Sequence, residues 1–456
     1  MKSLLLASVV LVSAWAQGEM AFNAGADLRI REELMKNVPG LPGGGLLSTA
    51  ARGPFTNHLR FRPRVWGEFA FDTADGTKWK LYTRFADEFR WCPEPHKHVH
   101  SFPDELILDN LYLQAEGLFD GLVDFKVGRQ DLWGIYGNKM DHVFQDGTPG
   151  DGSRTSYADM AGVTLHVTEE SKLDLFALYD FDDCDIRWGT GASRHTALTG
   201  INPRADPEMD DWGFGAIWDS NFGAALPYRV FWVEKNTAAF HVGDTKHPRT
   251  RRDTFGLAME PRLSEEWTMP LEVMAQVGKN GEGATLAAWS GYAALEWKSA
   301  REGWRPFASV SLRYLSGDPD AADEDGGHRA WDPLWTRAVN ECEIFLYGTH
   351  YGVGWWSNMY YQKNTVGIDF GPRHRLSAWI GPIFAAEKDG LGGDDGSFKG
   401  FLSVLRYDFP LVLADRAKGE RFELFGHLYA ELFNPGDYYA TDRPSWFFRW
   451  QLDFKF

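Results

Sequence analysis

The chain closes on SWFFRWQLDFKF (445–456), where polar and apolar positions alternate without a break. Phe448, Trp450, Leu452, Phe454 and Phe456 fall on one side of an extended strand. Arg449, Gln451, Asp453 and Lys455 fall on the other, because successive side chains of a strand point to opposite faces. The same period of two recurs along the chain. It predicts strands at 22–34, 57–72, 78–90, 105–116, 122–132, 159–167, 172–181, 211–219 and 228–236. Further strands are predicted at 253–263, 268–278, 286–298, 305–315, 363–370, 375–386, 399–412, 421–433 and 445–456, about 18 in all.

The connections sort by length. Short ones such as TADGT, GLFDG, TEES, SEEW, SAREG and GPRH alternate with long ones at 35–56, 133–158, 182–210, 237–252, 316–362, 387–398 and 434–444. The stretch 279–285 is the shortest of the long series. Short turns at one end and long loops at the other define an all-β transmembrane antiparallel barrel of 18 strands, with both termini periplasmic. Closure of the last strand on the first leaves no open edge in hydrocarbon. The start of the chain fits export: Met1-Lys2, an apolar run from Leu4 to Val12, then Ala14-Trp15-Ala16 as a cleavage site. Residues 1–16 are therefore read as a signal peptide and 17–456 as one outer-membrane barrel domain. Beyond residue 16 no apolar run approaches the ~18 residues of a spanning helix.

Composition adds three points. Aromatics at 15% and 48 glycines suit short strands, tight turns and interfacial girdles. A net charge of −17 argues against nucleic acid as a partner. Three cysteines (Cys92, Cys184, Cys342) do not make a disulfide framework, and all three are expected in long connections on one side.

The interior face carries the candidate chemistry. In HLRFRPRVWGEF, Leu59, Phe61, Pro63, Val65 and Phe69 are expected to face lipid, with Arg60, Arg62, Arg64 and Glu68 inside. The first strand adds Arg29 and Arg31, the third Arg84 and Arg90, and the terminal strand Arg449. Pairing through the connections sets Arg31 near Arg60, Arg29 near Arg62 and Arg62 near Glu88. On this wall the acids are Asp27, Glu33, Glu68 and Glu88. Two readings stand side by side: a salt-bridged wall, or a track that guides anions through paired guanidinium donors. Strict alternation from Val123, Phe125 and Val127 points Arg129 into lipid; a bulge at Gly128 would turn Arg129 and Asp131 inward. Arg154 is placed to reach the same lumen from its loop.

FKVGRQDLWG (125–134) followed by DGSRTSYADMAGVTL (151–165) resembles the pattern of the alginate export family of outer-membrane barrels, and WDPLW (331–335) and WWSN (355–358) resemble segments of its relatives. The resemblance implies an 18-stranded barrel conducting an anionic polysaccharide or smaller anionic solutes. The alternatives are a general anion-preferring diffusion porin and, from another class, a plugged barrel with an adhesive or structural role. No GxSxG, HExxH or P-loop is present, so no enzyme, cofactor or metal is expected. HKHVH (96–100) reads as surface histidines and GDPDAADEDGG (317–327) as a solvated acidic loop. The expected partners are an anionic saccharide or small anionic solutes, outer-membrane lipid and the barrel assembly machinery. The aromatic-rich 316–362 segment is expected to fold partly inward.

Overall fold

A computed structural model of the chain describes residues 20–37, 55–94, 99–100, 105–131, 158–180, 187–189, 211–222, 226–242, 245–319, 329–335, 344, 357–388, 396–415, 419–439 and 442–456. Strands β1 (Ala21–Lys36), β2 (Phe55–Asp72), β3 (Lys78–Ala86, resumed at Phe89–Glu94), β4 (Glu105–Gly117), β5 (Val123–Gln130) and β6 (Ala158–Thr168) begin the ring. It continues through β7 (Ser171–Asp180), β8 (Asp211–Phe222), β9 (Leu226–Thr237), β10 (Thr250–Met259), β11 (Leu271–Asn280) and β12 (Thr285–Lys298). The last six are β13 (Arg305–Leu315), β14 (Met359–Phe370), β15 (His374–Phe384), β16 (Phe398–Val412), β17 (Glu423–Pro435) and β18 (Ser445–Lys455). Each strand pairs antiparallel with the next, and β18 returns to β1 with Phe454 opposite Leu28 and Phe448 opposite Leu34. The ring is closed at 18 strands.

Closure and alternation together explain the burial pattern. On β11, Glu272, Met274 and Gln276 are buried, while Val273, Ala275 and Val277 between them are exposed. Val65, Val310 and Val366 on other strands are likewise exposed. In a barrel of this width the outward apolar face meets lipid and the inward face must be polar or covered by loops. The terminal segment follows the same rule, with Arg449 and Gln451 buried inside and Phe456 exposed at the end of the outward row.

Several boundaries differ from the sequence reading. β10 ends at Met259 rather than 263, whereas the expected start of the next strand at 268 stands in part: Trp267–Thr268 already pairs with β12, in the register that β11 resumes at Leu271. Pro261 and Pro270 lack the N–H a ladder needs: the first lies just past the end of β10, and the second separates Thr268 from Leu271. β14 begins at Met359, four residues before the expected 363, in register with Leu315. Cys92 lies on the Phe89–Glu94 piece of β3, opposite Val99, rather than in a loop. Cys184, Cys342, Arg154 and the first 16 residues lie outside the described residues.

Pro63 shapes the wall on which the arginines lie. The β2–β3 ladder runs from Asp72↔Lys78 to Arg64↔Ala86 and resumes at Phe61↔Phe89. Across the gap, Pro63 accepts a bond from the Asp87 amide (3.1 Å) but has none to return. The ladder opens there, and Glu88, in the opening, is buried inside the barrel.

Candidate functional site

The inward face of β18, β1 and β2 forms one charged wall. Register sets Arg29 opposite Arg62, Arg31 opposite Arg60 and Asp27 opposite Arg64. On the other side of β1, Arg29 faces Asp453, Arg31 faces Gln451 and Glu33 faces Arg449. Arg29, Arg31, Arg60, Arg62 and Arg449 are all buried. Like charges placed directly opposite each other destabilise a sheet unless something between them compensates.

Carboxylates do that for most of them. Glu88 contacts Arg29 (3.2 Å) and Arg60, and Glu33 contacts Arg31 (2.9 Å) and Arg60 (3.0 Å). Arg64 donates to Asp27 at 2.9 Å. Arg449 donates from Nε to Nε2 of His427 (2.9 Å) and lies over the Tyr429 ring. Glu88, expected beside Arg62, is engaged by its two neighbours. Arg62 makes no ion pair among the described residues, and its buried Nε and Nη1 have no hydrogen-bond partner there. In total, the wall sets six guanidiniums (Arg29, Arg31, Arg60, Arg62, Arg64 and Arg449) against five carboxylates: Asp27, Glu33, Glu68, Glu88 and Asp453.

The remaining candidate arginines are differently placed. Arg84 is clamped by Asp109 and Asp131, each at 2.9 Å. The β3–β4 register passes from Arg84↔Asn110 to Phe85↔Leu108, so Asp109 is an extra residue on β4. Such a bulge gives Asp109 and Asn110 to the same neighbourhood. The irregularity is thus on β4, one strand before the position expected at Gly128. Gly128 does adopt φ 124, where an added Cβ would lie 2.2 Å from the Leu111 carbonyl, but pairing through it to β4 and β6 is unshifted. Arg129 sits opposite Leu111 and Asp159, is buried, and donates to Asp159 (3.0 Å) and to the Leu108 carbonyl (3.3 Å). Arg90 stands opposite Arg60 in backbone register.

Beside the arginine wall stands an aromatic column that the sequence reading did not single out. Trp66 stacks on Tyr82 (6.1 Å) and Tyr82 on Tyr112 (5.1 Å), and the Lys126 ammonium lies 3.9 Å from the Tyr112 ring centre. Gly25 admits Trp66, since a Cβ there would come within 2.6 Å of its ring. Tyr82, Arg84, Tyr112 and Lys126 line a recess of about 500 Å³ in the wall. The shared parity of Trp66 with Arg64, and of Tyr82 with Arg84, is the signal that would have found it.

Across the ring, part of the segment between β13 and β14 enters the lumen. Trp331, Trp335 and Ile344 are fully buried. Lys235 of β9 donates to the Leu334 carbonyl (2.6 Å), and Gln276 of β11 exchanges two bonds with the Asp332 backbone (2.8 and 3.0 Å). The Asp332 carboxylate meets Arg252 at 3.1 Å and Lys235 at 3.8 Å. From the far side, Glu431 of β17 accepts the Ile344 amide at 2.8 Å. The segment is therefore held on two separate walls and narrows the passage between them.

A closed 18-strand barrel with an outward apolar band and a polar, loop-narrowed interior is an outer-membrane pore architecture, and the chain is an outer-membrane protein. No protein-family model matches the chain, and no curated protein sequence matches it. Solved structures do resemble it. OccAB1 from Acinetobacter baumannii aligns at TM-score 0.56 and 8% identity, over 96% of this chain and 98% of that one. OccK11 from Pseudomonas aeruginosa aligns at 0.53 and 12%, over 95% of both chains. The outer membrane protein opdK from the same organism aligns at 0.53 and 10%, over 95% and 99%. At these identities the likeness is one of fold.

The comparisons correct the resemblance to the alginate export family: the similar structures named above are Occ and Opd porins. The structure shows why the short motif misled. In GRQ, Gly128 makes room for the Leu111 carbonyl, Arg129 pairs with Asp159, and Gln130 donates to the Met160 carbonyl (3.1 Å). Those are wall-building contacts, which barrels of different cargo can share. WDPLW likewise supplies the anchor of the inward segment.

Proposed function

We propose that the protein is a diffusion channel preferring small anionic solutes. The observation that carries this reading is the stoichiometry of the β18–β1–β2 wall. Its guanidiniums outnumber its carboxylates, and Arg62 is buried there without an acid partner among the described residues. Guanidinium offers donors in a planar fork that match a carboxylate or phosphate, and a confined cationic wall raises the local anion concentration. Arg60, Arg62 and Arg64 recur on one face, spanning roughly 13–14 Å of wall at about 3.3–3.4 Å per residue. Arg84, Arg129 and Arg64 each have an acid of their own and are accounted for as structure, so the track in this reading centres on Arg62, flanked by Arg29, Arg31 and Arg60, which share Glu33 and Glu88, and by Arg449, which meets His427.

Reversal potentials in planar bilayers under a salt gradient test this. The wild-type pore is expected to prefer anions, less so as salt rises, because screening shortens to ~10 Å at 0.1 M. Arg62→Glu, and Arg60→Glu with Arg62→Glu, should weaken or invert the preference; Lys388→Glu at an exposed distal position should not. Cation preference in the wild type, or indifference to Arg62→Glu, would sink the reading.

A further inference from the structure

The outward face also carries charge, at one place on the rim with the long connections. Arg251 of β10 lies opposite Lys279 of β11, and both belong to the lipid-facing rows that continue as Phe255 and Val277. Arg249, two residues before Arg251, is exposed as well. Beneath them are two acids. Glu234 of β9 meets Arg251 at 2.8 Å and Asp253 meets it at 3.6 Å. These carboxylates are themselves held, Asp253 by Trp232 Nε1 (3.0 Å) and Glu234 by the Asn236 amide (2.8 Å). The layering is the informative part: the Arg251 side chain is 61% exposed, against 16% for Glu234 and 22% for Asp253. The acids orient the cation from behind, and the outermost charge is positive.

Height can be read along β12. Trp297 faces outward near the short-connection end, paired with Trp267, and Thr285 at the other end of the strand lies opposite Lys279. Twelve residues separate Trp297 from Thr285. At about 3.3 Å per residue and a tilt near 40°, that is roughly 30 Å of height, more than the ~25 Å of the apolar band. The outward Trp289–Tyr314 stack (4.0 Å) lies below Thr285 on the same face, where an interfacial girdle belongs. Arg251 and Lys279 therefore stand above the girdle, in the headgroup layer.

We infer that Arg251 and Lys279 form a binding site for the phosphate groups of an outer-leaflet lipid. A headgroup phosphate offers several acceptors at that height, and a pre-oriented guanidinium beside an ammonium matches them. The site is outside the pore and independent of its selectivity.

The test is native mass spectrometry of the purified barrel with a diphosphorylated acyl-disaccharide lipid, against the same lipid without phosphates. The wild type should retain the phosphorylated lipid at least about tenfold better. Arg251→Gln with Lys279→Gln should lower retention roughly thirtyfold, and Lys279→Gln alone, which leaves the Arg251 ion pairs intact, roughly fivefold. Heat-modifiable mobility checks that each variant has assembled. Arg373→Gln with Arg375→Gln, exposed cations at the opposite end, should retain lipid as the wild type does. Equal retention of both lipids, no loss in the single and double variants, or equal loss in the control overturns the assignment. So does a wild-type oligomer that Lys279→Gln dissolves, which would make the patch a contact between copies.

Discussion

The β18–β1–β2 wall and the β8–β11 wall lie half a ring apart, and both bury charge. Their partner sets differ. On β8–β11, Lys235 has Asp211 at 3.1 Å and the Leu334 carbonyl at 2.6 Å, Arg252 has Asp332, and Arg229 has Asp219 at 2.5 Å. Those pairs tie strands together and hold an inward segment. On β18–β1–β2, Glu33 and Glu88 are shared among Arg29, Arg31 and Arg60, while Arg62 makes no ion pair among the described residues. Burial of charge alone is thus no sign of transport. A matched pair is wall structure, because removing either member strands the other. An unmatched guanidinium strands nothing when removed, and in the proposed reading it is the group that a passing anion would meet.

Breaking the shared network should have the largest effect. Arg60→Ala leaves Glu33 and Glu88 short of a partner, and breaking a buried pair costs about 3–5 kcal/mol. The expected result is a lower urea midpoint for the heat-modifiable folded band. Arg62→Gln, one register step away, should assemble with the wild-type midpoint and lose much of the anion preference. If Arg62→Gln destabilises as much as Arg60→Ala, the distinction between the two arginines fails.

The opposite wall offers the next effect. Asp332→Asn weakens the contacts to Arg252 and Lys235 while keeping the backbone exchange with Gln276. Single-channel conductance should rise or fluctuate more as the inward segment loosens, with the anion preference kept. Conductance identical to the wild type would mean that the hydrogen bonds to Lys235, Gln276 and Glu431 hold the segment unaided.

Much of this was legible in the sequence, for stated physical reasons. A period of two with one buried face fixes which side chains share the lumen, and keeping that parity restricts the register of neighbouring strands even across the long connection at 35–56. Hence Arg29↔Arg62 and Arg31↔Arg60 could be written from the chain alone. Pairings that depend on irregular backbone could not. Asp109 is an extra residue whose neighbours look like ordinary strand, and the opening at Asp87–Glu88 arises from a proline on the strand opposite. The contacts of Asp332 with Lys235 and Arg252 join segments far apart in sequence, with no local pattern to announce them. The solute was misread for a related reason, since the motif that carried the resemblance builds wall rather than binding cargo.

The smallest expected effect uses a charge outside the membrane, on the turn joining β2 to β3. Asp75 accepts bonds from the Thr73 hydroxyl (2.5 Å) and from the Thr77 amide (3.2 Å) and hydroxyl (3.1 Å). The bond from the Thr73 side chain, then that from the Thr77 amide, hold its pKa below the ordinary carboxylate value. A depressed folded-state pKa contributes stability above the unfolded value of about 3.9, and that contribution disappears as pH falls through the folded value. The turn should therefore loosen in acid, while the matched pairs within the barrel keep the strands in place. Hydrogen exchange at the Gly76 and Thr77 amides can follow this. Asp75→Asn should speed that exchange relative to the wild type at about pH 6, and the difference should shrink as pH falls through the depressed pKa of the wild-type carboxylate. Anion preference should be the same in both proteins across that range. A change of selectivity in Asp75→Asn would mean that charge at the turn is felt by the passing ion, and that the arginine wall does not act alone.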